Sequence, residues 1–399
     1  MTDAPWLHII GLGEDAPQGL SPASLSALKN AEIVMGPPRH LSLLPALDAE
    51  RIAWPVPFAD GVTQLLALRG RRVAMLASGD PFWFGAGTSV TRHLEAQEWV
   101  ALPGPSTFSL AASQMGWPLE RTACFGLHAA PLARLRSALA PGARMIVLLR
   151  DGAAVRDLAD YLTGEGFGAS FMTVLEALGG PRMRRTDAVA DALPDVAFSH
   201  PVCCAVEVQG AGAVLPLASG RADAWFDSDG TMTKRPVRAL TLSALAPRPF
   251  EHLWDIGGGS GSIAIEWLLS HPTLTATTIE PRADRAERIT ANAAKLGVDR
   301  LKVIHGSAPE GLSGLTPPDV VFIGGGLSEG LLAWLEDTLP QGTRLVANAV
   351  TLESEALVTL AHARLGGDLL RIELAAAQPL GPKRGWKASY PIVQWSVTL

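Results

Sequence analysis

The stretch His252–Trp267, HLWDIGGGSGSIAIEW, restricts the fold of this chain more than any other segment. A short apolar run ends at Asp255 and Ile256, and Gly257, Gly258, Gly259, Ser260 and Gly261 follow. An apolar helical pattern then begins. Consecutive glycines lack the Cβ that would block a sharp reversal, so the segment reads as strand, tight turn, helix. The same alternation continues downstream. Strands are expected at 252–256, 275–280, 302–305, 320–323 and 344–348, with helices at 262–270, 282–296, 330–338 and 352–365. Residues 369–375 and 392–397 read as a closing antiparallel pair. Strands alternating with helices specify a mostly parallel sheet covered on both faces, a Rossmann-like α/β fold.

The first half alternates less cleanly. Apolar strands are expected at 6–10, 33–35, 72–76, 99–102, 144–149, 171–175 and 201–208, with helical periodicity at 22–29, 86–95, 107–115 and 153–163. Between the halves, Gly210–Gly230 is rich in glycine and small residues. With 399 residues the chain exceeds what one core supports. The expected division is a domain at 1–210, a linker at 211–229 and a second domain at 230–399. No internal repeat relates the halves, so two different α/β folds are expected.

Composition excludes several function classes. No apolar run approaches the roughly 18 residues of a membrane span, and no signal-peptide pattern opens the chain, so a cytoplasmic protein without membrane contact is expected. The 33 Lys and Arg against 39 Asp and Glu leave a net charge of -6, which gives a nucleic-acid partner little support. Cys124, Cys203 and Cys204 form no CxxC pair, and neither a metal site nor a disulfide is expected. Trp267 and Trp334 fall on apolar helix faces and read as core.

The glycine turn opens onto a helix N-terminus, whose free N–H groups suit a carboxylate or phosphate. The second strand ends at Glu280, 25 residues after Asp255, where an acid can accept both hydroxyls of a ribose. The spacing DxGxGxG favours S-adenosyl-L-methionine over NAD or a purely structural turn. Asp319–Gly326, DVVFIGGG, sits where an acceptor would lie. It reads equally as a plain strand-to-helix loop or as backbone cleared for a large flat substrate. In the first half, Val73–Gly87 (VAMLASGDPFWFGAG) and Ala101–Gly116 (ALPGPSTFSLAASQMG) each place a Gly-Pro loop after an apolar strand, able to wall a cleft. Asp80 there reads either as a ligand contact or as a turn residue capping a helix. His40 and His128 lie in polar stretches near that cleft; a structural role is the plainer reading of each.

These motifs carry two resemblances. The stretch from Met232 to Gly326, including Thr233, Lys234 and Arg238 in the pattern TK-x-x-x-R, resembles the decarboxylating precorrin methyltransferases of cobalamin synthesis. That likeness implies cofactor contacts at Thr233, Gly257, Gly258, Gly259, Ser260, Gly261, Glu280 and Ala308. The family often has an acid where this chain has Arg235 or Pro236. The first half, through HIIGLG, GPPRHL, the two Gly-Pro loops and VLEALGGPRMRR, is similar to the tetrapyrrole methylases. The implied fold is two-lobed, with the cofactor touching Gly11, Gly13, Gly79, Asp80, Pro81, Ser106 and Thr107.

Fusion of the two resembles one architecture of cobalamin synthesis. It implies methylation of precorrin-6Y at carbon 5 by the first domain. The second domain would methylate carbon 15 and remove carbon dioxide from the ring-C acetate, giving precorrin-8X. A substrate with many carboxylates wants cations, for which Lys234, Arg235, Arg238, Lys383, Arg384 and Lys387 are candidates. A homo-oligomer is expected from both families. Two alternatives stay open: an RNA methyltransferase, and a chain in which one domain only binds the intermediate.

Overall fold

Residues 5–399 are described in the computed structural model, and they fall into two units. The first comprises the chain up to Leu132 together with Ala138–Ala213; the second comprises Ala133–Ser137 and Val214–Leu399.

The first unit holds two five-stranded sheets. One contains β1 (Leu7–Leu12), β2 (Ile33–Gly36), β3 (Glu50–Ala53), β4 (Val73–Ser78) and β5 (Trp99–Leu102), all parallel, in the order β3-β2-β4-β1-β5. Successive residues of β1, β2 and β4 point to opposite faces, and both faces are buried. Leu7, Ile9, Ile33 and Met75 enter one core, and Ile10, Val34, Ala74 and Leu76 the other. That is why these strands read as continuous apolar runs. The other sheet contains β6 (Ala123–Gly126), β7 (Arg144–Leu148), β8 (Phe171–Glu176), β9 (Arg184–Val189) and β10 (Val202–Glu207), in the order β6-β7-β10-β8-β9. Only β6–β7 is parallel. The buried Cys203 and Cys204 sit in its central strand as small core residues.

The second unit is built on a seven-stranded sheet. Its strands are β11 (His252–Ile256), β12 (Thr275–Glu280), β13 (Lys302–His305), β14 (Val320–Ile323), β15 (Arg344–Ala349), β16 (Asp368–Ile372) and β19 (Ile392–Thr398). The order is β13-β12-β11-β14-β15-β19-β16, with β19 antiparallel to both its neighbours. Between β16 and β19 the chain makes an exposed hairpin, β17 (Ala375–Leu380) and β18 (Lys383–Ala388). Trp267 is fully buried, and Trp334 packs partly buried against Trp254.

Several features differ from the sequence expectation, among them the short helices Pro38–Leu43 and Phe58–Leu66, where none was expected. Strands β3, β6 and β9 carry no clear apolar signature because each lies at a sheet edge and none of their side chains is fully buried. The hairpin β17–β18 is exposed along almost its whole length and likewise lacks a pattern. A helix, Arg235–Leu245, occupies what read only as a lead into the second domain. The segment expected as a linker is built into the second unit from Val214 on. Leu215 and Phe226 join its core, and the buried Arg221 and the backbone of Gly220 and Arg221 bind the Glu266 carboxylate. No helix among the described residues is long and apolar enough to cross a membrane.

Candidate functional site

In the second unit β12 lies on one side of β11 and β14 on the other, so consecutive connections leave in opposite directions. Ligands of open α/β sheets bind at such a switch point, beyond the carboxyl ends of the strands. A cavity of about 1060 Å3 opens there. Its floor is the glycine turn. Gly257 has φ +76°, and a Cβ on it would come within 3 Å of the Gly325 backbone, so the loops after β11 and β14 meet only because Gly257 is bare. A Cβ on Gly258 would strike the Thr278 hydroxyl at 2.3 Å. Gly261 caps the helix Ser262–Ser270 in the left-handed conformation and faces Ile289 rather than the cavity. It shapes the turn without lining it.

Glu280, at the end of β12, lines the cavity and is 2 % exposed. One carboxylate oxygen accepts from the Gly259 N–H at 2.8 Å and the other from the Arg282 N–H at 3.1 Å. Each oxygen keeps a lone pair, so the group is held in place yet still able to accept ligand hydroxyls. Thr233, Gly259, Ser260 and Ala308 also line the cavity. Two polar atoms of the lining are buried without a partner, the Ser260 hydroxyl and Oδ2 of Asp255. Burial pushes the Asp255 carboxyl up to about 7, against the pull of the Ala264 N–H and the Thr278 hydroxyl. A bare glycine cradle, an anchored acid and two unsatisfied polar atoms fit an adenosine cofactor with an amino-acid tail.

The expected cations separate. Lys234 lines the cavity, whereas Lys383, Arg384 and Lys387 stand on the exposed hairpin and are not part of the wall. Arg238 is a correction. Fully buried, it donates to the Glu266 carboxylate at 2.6 Å, to Asp223 at 3.1 Å, and to the carbonyls of Arg221 and Thr233. Four of its five N–H groups are used and it does not line the cavity, so it is not placed to meet a substrate carboxylate. The spacing TK-x-x-x-R places this arginine behind the Thr233 carbonyl as a brace. Asn348, at the end of β15, lines the cavity as well and carried no sequence signal.

The first unit has its own cavity, of about 330 Å3, lined by residues from β1, β4, the loop after β5, and the segments around Arg39, His128 and His200. Gly13, Gly79, Asp80, Ser106 and Thr107 are on its wall; Gly11 and Pro81 are not. A Cβ on Gly11 would overlap the Gly79 carbonyl at 1.9 Å, so this glycine lets β1 and β4 converge beneath the site. The carboxylate of Asp80 accepts from the Phe82 N–H at 2.8 Å, closing a turn, while the residue also faces the cavity. Ser106 caps the helix Thr107–Met115 through the Ser109 N–H.

A charged group at this wall was only partly visible in the sequence. Glu14, 7 % exposed, bridges Arg39 and Arg182. Arg39 in turn donates to His40 Nε2 at 2.8 Å, and the Ser78 hydroxyl lies 3.1 Å from that nitrogen. An arginine cannot accept, so Nε2 is the acceptor and the imidazole is neutral. Burial, then the charge of Arg39, pushes His40 down to about 3. Burial also lowers Arg39 to about 10. His128 and His200 line the same cavity. The motif GPPRHL pointed to His40, while Glu14 and His200 had no local pattern to mark them. Trp83 and Phe84 form an aromatic wall. Phe84 adopts φ +54°, unusual for a bulky residue, with its ring against Phe108 and Gly126.

Comparisons with known proteins follow the same division. Residues 6–191 match the family described as Tetrapyrrole (Corrin/Porphyrin) Methylases, and residues 224–399 match a Precorrin methyltransferase domain. A decarboxylating precorrin-6Y C(5,15)-methyltransferase of Sinorhizobium sp is 49% identical over 99% of this chain and 97% of its own. A protein of the same name from Mycobacterium tuberculosis is 41% identical over 98% of this chain and 99% of its own. Among solved structures, the C-terminal domain of precorrin-6Y C5,15-methyltransferase from Rhodobacter capsulatus is 54% identical, covering 46% of this chain and all of that one, with a TM-score of 0.45. The chain belongs to the family of decarboxylating precorrin-6Y C(5,15)-methyltransferases.

Proposed function

We propose that this protein methylates a precorrin-6Y-type tetrapyrrole at carbons 5 and 15 and removes carbon dioxide from its ring-C acetate, giving precorrin-8X. In this reading the second unit acts at carbon 15 and on the acetate, and the first unit acts at carbon 5. The observation that carries it is the crevice at the end of β11, where Gly257 to Gly259 and the anchored Glu280 make a nucleoside cradle open to a large cavity. S-adenosyl-L-methionine, when bound, supplies an electrophilic methyl group at each site.

The chain's own residues bind and orient. Glu280 accepts the ribose hydroxyls, and the first turn of Ser262–Ser270 faces the cofactor carboxylate. Thr233, held through its carbonyl by Arg238, closes the cradle. In the first unit Gly79, Asp80, Ser106 and Thr107 hold the cofactor, and Arg39 faces the substrate side with Glu14 behind it. A meso carbon flanked by pyrrole nitrogens is enamine-like, so the substrate brings its own nucleophile. Holding that carbon about 3 Å from the methyl, in line, removes much of the barrier. Lys234 meets one substrate carboxylate, and Lys383 and Arg384 reach others from the hairpin. The enzyme works in the cytoplasm as a homo-oligomer in this reading, which sedimentation of the purified chain tests.

The decisive experiment incubates the full chain with the precursor and cofactor and follows mass. Gain of two methyl groups with loss of one carbon dioxide supports the reading. In Glu280→Leu the methyl at carbon 15 and the loss of carbon dioxide should vanish while methylation at carbon 5 persists. Loss of both methyl transfers together in a folded variant would refute the division between units.

A further inference from the structure

Three polar side chains meet at one end of the second cavity without any ion among them. Thr241 lies on the helix Arg235–Leu245, Asn348 at the end of β15, and Gln394 directly across from it on β19. The Thr241 hydroxyl donates to the Val237 carbonyl at 2.9 Å, so its proton is spent and its oxygen can only accept. It receives the Asn348 amide nitrogen at 2.8 Å and the Gln394 amide nitrogen at 3.2 Å. Gln394 gives its other N–H to the Asn348 carbonyl oxygen at 2.9 Å. One backbone carbonyl therefore sets the direction of both amides. Asn348 is left with one N–H and one lone pair unspent, and it lines the cavity.

Aliphatic side chains flank Asn348, with Ser389 and Tyr390 in the same lining. By strand alternation Val350 shares a face with Asn348, and Ile392 and its partner Ile372 share it with Gln394. All three line the cavity, as does Leu374. The cations of the lining are Lys234 and Arg285. Lys234 precedes the helix and stands seven residues before Thr241, roughly 10 Å along the axis. Arg285 is paired with Asp229 at 2.8 Å. The Asn348 end thus offers an oriented, uncharged donor beside aliphatic side chains.

We infer that Asn348 holds the acetate carboxylate that is lost, with Thr241 and Gln394 as its positioning residues; this rests on the reading under Proposed function. Loss of carbon dioxide breaks the bond between the methylene and carboxylate carbons. The bonding pair moves into the conjugated imine of the macrocycle, and the methylene carbon afterwards takes a proton from water to become methyl. Charge leaves the carboxylate as the bond breaks. A cation there would stabilise the starting state more than the transition state and slow the step. A single neutral N–H orients the group without that penalty, and the aliphatic side chains beside it add no charge that would hold the carboxylate back.

The test uses the full chain, a precursor carrying label in the acetate carboxyl, and methyl-labelled cofactor, so that both products are counted. Asn348→Leu should lower release of carbon dioxide about 100-fold relative to methyl transfer at carbon 15. Asn348→Asp, nearly the same in volume, should do the same by repulsion. Thr241→Val should shift that ratio by about 10-fold, and Thr241→Ser, which keeps the acceptor, should restore it. If both products fall in equal proportion in Asn348→Leu and Asn348→Asp, or neither changes, the assignment to Asn348 is wrong and the functional reading stands. A wild-type chain that methylates carbon 15 and releases no carbon dioxide overturns both.

Discussion

The two cavities reach a cofactor-sized space by opposite routes. In the second unit most of the cradle comes from one strand–turn–helix segment and the end of the next strand, Gly257 to Ser260 and Glu280. In the first unit the wall is assembled from Gly13, Arg39, Gly79, Ser106, His128 and His200, spread over most of the unit. Their electrostatics differ in the same sense. The first cavity buries a base, His40, that stays neutral beside Arg39; the second buries an acid, Asp255, that resists ionisation. A site encoded locally can be read from a motif, whereas one built from distant segments needs the fold to bring its charges together.

The largest expected effect exposes that contrast through pH. His40 is pushed down to about 3, so below the unfolded value near 6.5 only the unfolded chain takes up its proton, and the first unit loses stability on acidification. The contribution approaches about 5 kcal/mol at pH 3. Asp255 is pushed up to about 7, so the folded state keeps a proton the unfolded state releases above pH 4. The second unit accordingly loses up to about 4 kcal/mol as pH rises from 4 to 7. Hydrogen exchange of β1–β4 and of β11–β12 should show these opposite slopes, with His40→Phe flattening the first and Asp255→Asn the second. Equal slopes in both units would erase the contrast.

Next in size is Arg238→Leu. It leaves Arg221 as the one cation on the buried Glu266, beside the N–H groups of Gly220 and Arg221, and should destabilise the second unit by about 3–5 kcal/mol in urea unfolding. A substrate-binding role predicts instead a raised KM with unchanged stability. Glu280→Leu should weaken cofactor binding at the second site about 100-fold and leave the first intact, so calorimetry falls from two sites per chain to one. The smallest effect is expected for Asp80→Ala, which removes a turn bond to Phe82 and should cost about 1 kcal/mol in stability. Cofactor affinity at the first site should fall by more than that loss of stability explains, as direct contact with Asp80 requires; unchanged affinity would leave Asp80 a turn residue alone.

Much of the fold was legible. Strands buried on both faces, such as β1, β4, β11 and β14, are apolar at most positions, and the glycine turn after β11 marks its own βα unit. Edge strands β3 and β9 were not, because a half-solvated edge tolerates Arg and Glu where a central strand needs Val or Ile, and edge strand β6 was not, because its four small or partly buried residues are too short a run to stand out. Charge was the least legible property. Arg238 and Lys234 stand four residues apart in one motif, yet one is sealed against Glu266 and the other faces the cavity.

By itself, then, the sequence determined the α/β class, the division into two folds and the glycine turn with Glu280 at the end of the next strand. Each of these depends on residue type at short spacing, where local backbone geometry and alternating burial decide. Only the tertiary structure decided that Gly210–Gly230 is largely packed into the second unit, that Arg238 braces Thr233, and that Glu14, Arg39, His40 and His200 share one wall. It alone joined Thr241, Asn348 and Gln394. Those relations run across tens to hundreds of residues, and a side chain's partner at that range is set by packing, which no local pattern records.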